Sequence, residues 1–292
     1  WGLNTSGQTN VPSLTNPSYV SVGEYHSCAI DDIGVQCWGL LQHAATFTFG
    51  SPTQVSAGYQ HTCALNGAGV MCLGMNNYGQ INVPDLTKPT QVSAGYWHTC
   101  ALDAGGVKCW GNNSYGETGS PVSSVRNPTQ LSVGDAYGAG LAAQQICVLD
   151  DLGVACWYKH STGAHGPKLP GAGIHSALLR EVGNPTQISG SKCALADDDG
   201  DGVPEVLCWG ANDHGQATVP SLTNPTQVSA NTNHACALDE SGVVCWGYNG
   251  QGQTTVPSLT NPSYVSVGEH HSCAIDDIGV QCWGSLQHAA TF

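Results

Sequence analysis

Apolar residues come in short runs, parted every few positions by Gly, Asn, Asp or Pro. In "VSAGYWHTCALDAGGVKCWGNNSYGE" (92–117) Val, Ala, Leu, Cys and Trp cluster in three such runs, and no 3.6-residue stripe connects them. Such runs predict β-strands joined by tight turns. The pattern repeats: "VSAGYQHTCALNGAGVMCLGMNNYGQ" (55–80) aligns with 92–117. The same skeleton returns in "VSVGEYHSCAIDDIGVQCWG" (20–39), "CVLDDLGVACW" (147–157), "CALADDDGDGVPEVLCWG" (193–210), "VSANTNHACALDESGVVCWG" (228–247) and "VSVGEHHSCAIDDIGVQCWG" (265–284). Successive first cysteines lie 35 to 47 residues apart, a period that suits either a propeller blade or a helical hairpin. The strand-type runs select the blade. We expect an all-β, seven-bladed β-propeller with one hairpin disulfide per blade, forming one domain over 1–292.

The cysteines sharpen this picture. Between Cys100 and Cys109 a hairpin with a four-residue turn, Asp103–Gly106, pairs Leu102 with Val107 and sets the two cysteines opposite each other on one face. Residues opposed at a non-hydrogen-bonded position lie about 4.5 Å apart between Cα atoms, within disulfide range. All fourteen cysteines fall into such pairs: Cys28 with Cys37, Cys63 with Cys72, Cys100 with Cys109, Cys147 with Cys156, Cys193 with Cys208, Cys236 with Cys245, and Cys273 with Cys282. Metal binding by two thiolates per blade would leave every ion short of four ligands, so the pairs read as disulfides. Seven bridges place the protein in an oxidising compartment, secreted or at the cell surface.

Charge narrows the partners. With 21 acidic and 7 basic residues the net charge is −14, too acidic for a nucleic-acid stripe. The chain has no apolar run long enough to span a membrane.

The unit V-S-x-G-x-x-H-[ST]-C-A-L-D-x-x-G-V-x-C-W-G-x-N-x-x-G-Q resembles the repeat of the regulator of chromosome condensation family. That resemblance implies a seven-bladed propeller. Its members include a nuclear exchange factor for a small GTPase, plant photoreceptors and secreted bacterial proteins, one a β-lactamase inhibitor. Their shared property is a rigid disc that binds proteins with its faces. Disulfides and acidity set this chain apart from the nuclear branch and resemble the secreted bacterial one.

Most repeated polar residues read as structure. His26, His61, His98, His234 and His271 precede the first cysteine of their blade by two positions, a symmetry expected of struts that bond backbone between blades; Gln145 and Ser191 replace them in two blades. Trp38, Trp110, Trp157, Trp209, Trp246 and Trp283, with Leu73 in the remaining blade, follow the second cysteine and are expected between blades. The acid pairs Asp31-Asp32, Asp150-Asp151 and Asp276-Asp277 open hairpin turns, where Asp caps backbone. Trp97 falls outside the tryptophan register and is a candidate partner contact.

Two places depart from the repeat. The loop 196–205 carries Asp197-Asp198-Asp199-Gly200-Asp201-Gly202, which fits the D-x-D-x-D-G start of a calcium loop. Asp197, Asp199 and Asp201 would supply carboxylates to Ca2+, Val203 a carbonyl and Glu205 a contact through water. Cys208 stands where the closing glutamate belongs, so the expected Kd is about 10⁻⁴–10⁻³ M. An irregular insertion at 158–185 includes Lys159, His160, His165, Lys168, His175 and Arg180, a basic group in an acidic chain and a candidate partner-contacting loop.

Residues 7–47 and 252–292 differ at three positions: Asn10 against Thr255, Tyr25 against His270, and Leu40 against Ser285. With a start at "WGLN" midway through a repeat, this duplication leads us to expect a window on a longer array. The expected function is a secreted, non-catalytic propeller for protein binding or for structural self-association. The alternatives are a lectin-like propeller that binds glycans and an enzyme with a site near 158–205.

Overall fold

The computed structural model describes residues 6–40, 46–47, 50–113, 118, 125–134, 146–157, 176–179, 182–190, 192–197 and 199–284. Within them the chain forms seven antiparallel sheets and no helix. Each sheet is one blade, and we number blades in chain order.

Blade 3 shows the plan. An inner strand, Gln91–Ala94, pairs with a second strand, His98–Asp103, which pairs with a third, Gly106–Gly111. The register sets Cys109 opposite Cys100 and Val107 opposite Leu102, as expected. Asp103 also pairs with Gly106, so the turn proper is Ala104-Gly105 rather than four residues. Gly106 has φ of 105°, a left-handed value that costs glycine nothing. Blades 1 and 4 add a fourth, outer strand, Thr46–Phe47 and Ser176–Leu179.

All seven expected disulfides form, one in each blade. Cys28 bonds Cys37 in blade 1, Cys63 bonds Cys72 in blade 2, and Cys100 bonds Cys109 in blade 3. Cys147 bonds Cys156 in blade 4, Cys236 bonds Cys245 in blade 6, and Cys273 bonds Cys282 in blade 7. These six close over nine positions with Cα atoms 4.0 Å apart. In blade 5 Cys193 reaches Cys208 over fifteen positions at 4.1 Å, so the acidic insertion leaves the staple unchanged. A ten-residue loop closed in this way stabilises by about 2–3 kcal/mol in the chain-entropy model.

The core is divided among the seams. Seven hydrophobic clusters each lie between two neighbouring blades, such as Cys63, Leu65 and Cys72 of blade 2 against Val92, Ala101 and Trp110 of blade 3. The cluster of Val20 and Trp38 with Cys273, Ile275 and Cys282 joins blade 1 to blade 7, so the ring is closed.

The inner strands ring a central channel of about 330 Å3 and are laced side chain to backbone. Gln91 Oε1 accepts the Leu131 N–H while its amide donates to the Leu131 carbonyl. Ser56 Oγ accepts the Ala94 N–H, and Ser93 Oγ that of Val133. At the 7–1 seam tyrosines stand where glutamine would, and Tyr19 meets Tyr264 with centroids 5.0 Å apart. The glycine of V-S-x-G is required by this closeness, because a Cβ on Gly23 or Gly58 would collide with the carbonyl of the next blade's glycine, Gly58 or Gly95.

Candidate functional site

Four of the five repeated histidines are struts, but their partner is a hydroxyl rather than backbone. His61 Nε2 lies 2.9 Å from Thr99 Oγ1 of the next blade, His26 Nε2 2.7 Å from Thr62 Oγ1, and His234 Nε2 2.9 Å from Ser272 Oγ. His271 Nε2 reaches Ser27 Oγ at 2.9 Å and so bridges blade 7 to blade 1. The tautomer follows from the next bond. Thr99, Ser272 and Ser27 donate their hydroxyl hydrogens to the carbonyls of Gln80, Gln253 and Gln8, so each must accept from Nε2–H. Nδ1 is then bare, and it has no partner among the described residues. Burial holds these imidazoles neutral: the pKa falls to about 3 for His61, His234 and His271 and to about 4 for His26 and His98. Gln145 and Ser191, which replace the strut histidine, lie outside the described residues.

The tryptophans pack between blades as expected. Trp38, Trp110, Trp246 and Trp283 are buried, and their indole N–H groups donate to the Gln8, Gln80, Gln216 and Gln253 carbonyls. The main-chain carbonyls of Gln8, Gln80 and Gln253 each receive both the indole and the strut hydroxyl of the following blade. The glutamine itself is explained by its Oε1, which accepts the N–H two residues earlier, as from Ser6 to Gln8 and Tyr78 to Gln80. Trp209 has no such acceptor among the described residues. The Trp157 side chain lies outside them.

The acid pairs do turn chemistry. Asp31 Oδ1 accepts the Ile33 and Gly34 N–H groups while Oδ2 accepts that of Thr15. Its neighbour Asp32 accepts from Asn16 Nδ2, in an Asn at φ 49°. Burial works against ionisation of Asp103, yet hydrogen bonds from Thr87, Lys108 and Gly105 outweigh it and hold the carboxyl below its usual value.

The aromatic residues that depart from this scheme collect on one face. The loops from inner to second strand and the segments leaving the third strand meet there, around the mouth of the channel; the Asp turns lie at the other end. A row of aromatic rings crosses the mouth face over blades 1 to 3. Tyr25 meets Tyr59 edge-on at 5.5 Å, Tyr59 stacks on Tyr96 at 4.0 Å, Tyr96 meets Trp97 at 4.8 Å, and Trp97 meets Tyr78 at 5.1 Å. Tyr25 and Tyr59 are half-buried, Tyr96 is buried, Trp97 half-buried and Tyr78 44% exposed, so the row is anchored at Tyr96 and opens to solvent at Tyr78. Trp97 is therefore one ring of a series, which its place outside the tryptophan register only hinted at.

Beside the row lies a polar group the sequence reading missed: Glu24 of blade 1 with Glu269 and His270 of blade 7. Burial, then the neighbouring Glu24, pushes the Glu269 carboxyl up to about 8, and burial raises Glu24 as well. Buried Lys192 of blade 5 donates to the Thr232 carbonyl at 3.3 Å; burial lowers its pKa to about 8 against the pull of Glu269. The signal was present in the sequence, since Glu24 and Glu269 occupy equivalent positions in the duplicated ends. Seeing it required knowing that those ends are ring neighbours.

In blade 5 the strands extend one pair further than expected, Ala196 to Glu205, which shortens the acidic turn to 197–204. Asp197, Asp199 and Asp201 bring carboxylate oxygens within 4.8 Å of one another. Three backbone N–H groups brace them: Gly202 to Asp197, Asp201 to Asp199 and Val203 to Asp201. The Glu205 carboxylate is not in that cluster, and Val203 is 42% exposed. Lys159, His160, His165, Lys168, His175 and Arg180 lie outside the described residues.

The Regulator of chromosome condensation (RCC1) repeat matches residues 53–80, 90–117 and 226–253, in blades 2, 3 and 6. Among solved structures, the entire ectodomain of the Physcomitrella patens receptor kinase CR4 is 22% identical, with a TM-score of 0.67, covering 93% of this chain and 75% of that one. The CRINKLY WD40 ectodomain of the Arabidopsis thaliana receptor kinase ACR4 is also 22% identical, with a TM-score of 0.65 and coverage of 96% and 99%. The β-propeller domain of the Trilobed protease from Pyrococcus furiosus matches at a TM-score of 0.51 with 7% identity, covering 96% and 100%. No curated protein sequence matches the chain. The chain is a seven-bladed β-propeller carrying regulator of chromosome condensation repeats, recognised as such at three places.

Proposed function

We propose that the protein is an extracellular, non-catalytic propeller that binds a protein partner on its mouth face. The observation that carries this reading is the aromatic row from Tyr25 to Tyr78. Clustered aromatic side chains, anchored in the interior and opening to solvent, are what interface hot spots are made of. Repeated histidines, tryptophans and aspartates are by contrast engaged in holding the ring together, which leaves them unsuited to chemistry. Seven disulfides support an oxidising setting, and the same fold serves as the ectodomain of two plant receptor kinases. The test is capture of extracellular proteins on the immobilised chain, with the two faces altered separately. We expect Trp97→Ser with Tyr78→Ser to reduce capture by at least about tenfold. Retention of glycans in place of protein would favour the lectin-like alternative.

A second reading concerns blade 5, where the braced carboxylates of Asp197, Asp199 and Asp201 favour a weak Ca2+ site. Oxygen donors from alternate aspartates suit a hard cation. Calorimetric titration is expected to show millimolar binding that Asp199→Ala abolishes; an unchanged titration would remove the site from the account.

A further inference from the structure

We propose that Glu24, Glu269 and His270 form a site for a first-row divalent cation, with Zn2+ the best fit, clamped across the seam where blade 7 closes on blade 1. One ligand atom from each residue lies within 4.8 Å of the other two. Tetrahedral ligands at about 2.0–2.2 Å from zinc stand roughly 3.5 Å apart, so small side-chain rotations complete the set. Two carboxylates and one imidazole leave a fourth position for water.

A second observation points to a ligand. Glu24 is 7% exposed, and its Oε2 has no hydrogen-bond partner among the described residues. The same holds for Glu269 Oε2 and His270 Nδ1, both buried atoms. The Tyr25 and Tyr96 hydroxyls bond the Glu24 carboxyl yet leave that oxygen unmet. Glu24 and Glu269 are also within hydrogen-bonding reach of each other, so two buried carboxyls gathered with an imidazole within 4.8 Å need a proton or a cation between them. Burial also lowers the pKa of His270, which keeps the imidazole in the form that ligates.

The repeat explains how the site arises. Equivalent loop positions of adjacent blades stand side by side, which elsewhere stacks Tyr59 on Tyr96. At the 7–1 seam the duplicated ends place two glutamates at those positions. One of the three differences between the duplicates, Tyr25 against His270, then supplies the imidazole.

The test is calorimetric titration of the disulfide-intact chain with Zn2+ at neutral pH. We expect about one equivalent bound, weakened at least tenfold by Glu24→Gln and by His270→Tyr. The second variant installs the residue blade 1 already carries at this position, so it keeps the fold; circular dichroism checks both. Asp199→Ala is expected to leave Zn2+ affinity unchanged. No binding, equal affinity in wild type and both seam variants, or loss in Asp199→Ala alone would overturn the proposal.

Discussion

Seams 2–3 and 3–4 follow the same plan but differ at the residue that faces the strut histidine. At 2–3, His61 finds Thr99, which passes its own hydrogen to the Gln80 carbonyl. At 3–4, Ile146 occupies the position equivalent to Thr99, and neither nitrogen of His98 has a partner among the described residues. His98 is nonetheless fully buried, like His61. The imidazole is therefore placed by packing, and the hydrogen bond is added to a position the seam has already fixed. The 3–4 seam holds through other means: the two-way bond between Gln91 and Leu131, and a cluster enlarged by Ile146 and Val148.

The largest effect expected from this comparison is on pH. His61, His98 and His234 have folded pKa values of about 3, 4 and 3, below the unfolded value of about 6.5. The unfolded chain binds more protons between those limits, so this stabilisation is fully present above about pH 6.5 and is lost as pH falls below it. Each histidine contributes a slope of about 1.4 kcal/mol per pH unit there, so denaturant midpoints should drop steeply between pH 6.5 and 4. A flat profile would show that the imidazoles are accessible to solvent protons in the folded state. Thr99→Val comes next. It leaves His61 unpaired and removes a donor from Gln80, with an expected loss of about 1–3 kcal/mol by chemical denaturation. The smallest change is Ile146→Thr, which gives His98 a hydroxyl at the expense of apolar burial and should shift stability by under about 1 kcal/mol either way. Equal losses in the two variants would mean that the strut bond does not distinguish the seams.

Much of this fold was legible because it is written seven times. The offset of nine between paired cysteines, or fifteen in blade 5, fixes the hairpin register, and that register sets the disulfides. Trp38 and its equivalents were readable as seam residues because Leu73 stands in for one of them. What escaped was whatever depends on which blades are neighbours. The strut pairs with a hydroxyl of the next repeat, a partner 36 to 38 residues away in the chain for His26, His61 and His234. Glu24 and Glu269 lie farther apart still, and only ring closure brings them together. Turn lengths were overestimated by one pair at each strand end in blades 3 and 5, because Asp103 with Gly106 and Ala196 with Glu205 still fit the ladder.

The claim that the mouth face is the binding face is tested most directly by capture on the immobilised chain with opposed variants. One carries Trp97→Ser and Tyr78→Ser on the mouth face; the other carries Ile33→Ser and Ile278→Ser at hairpin tips, 72% and 74% exposed, on the far face. Protein retained by wild type should be lost from the first and kept by the second. Loss from the second alone, or equal retention by both, would contradict the account.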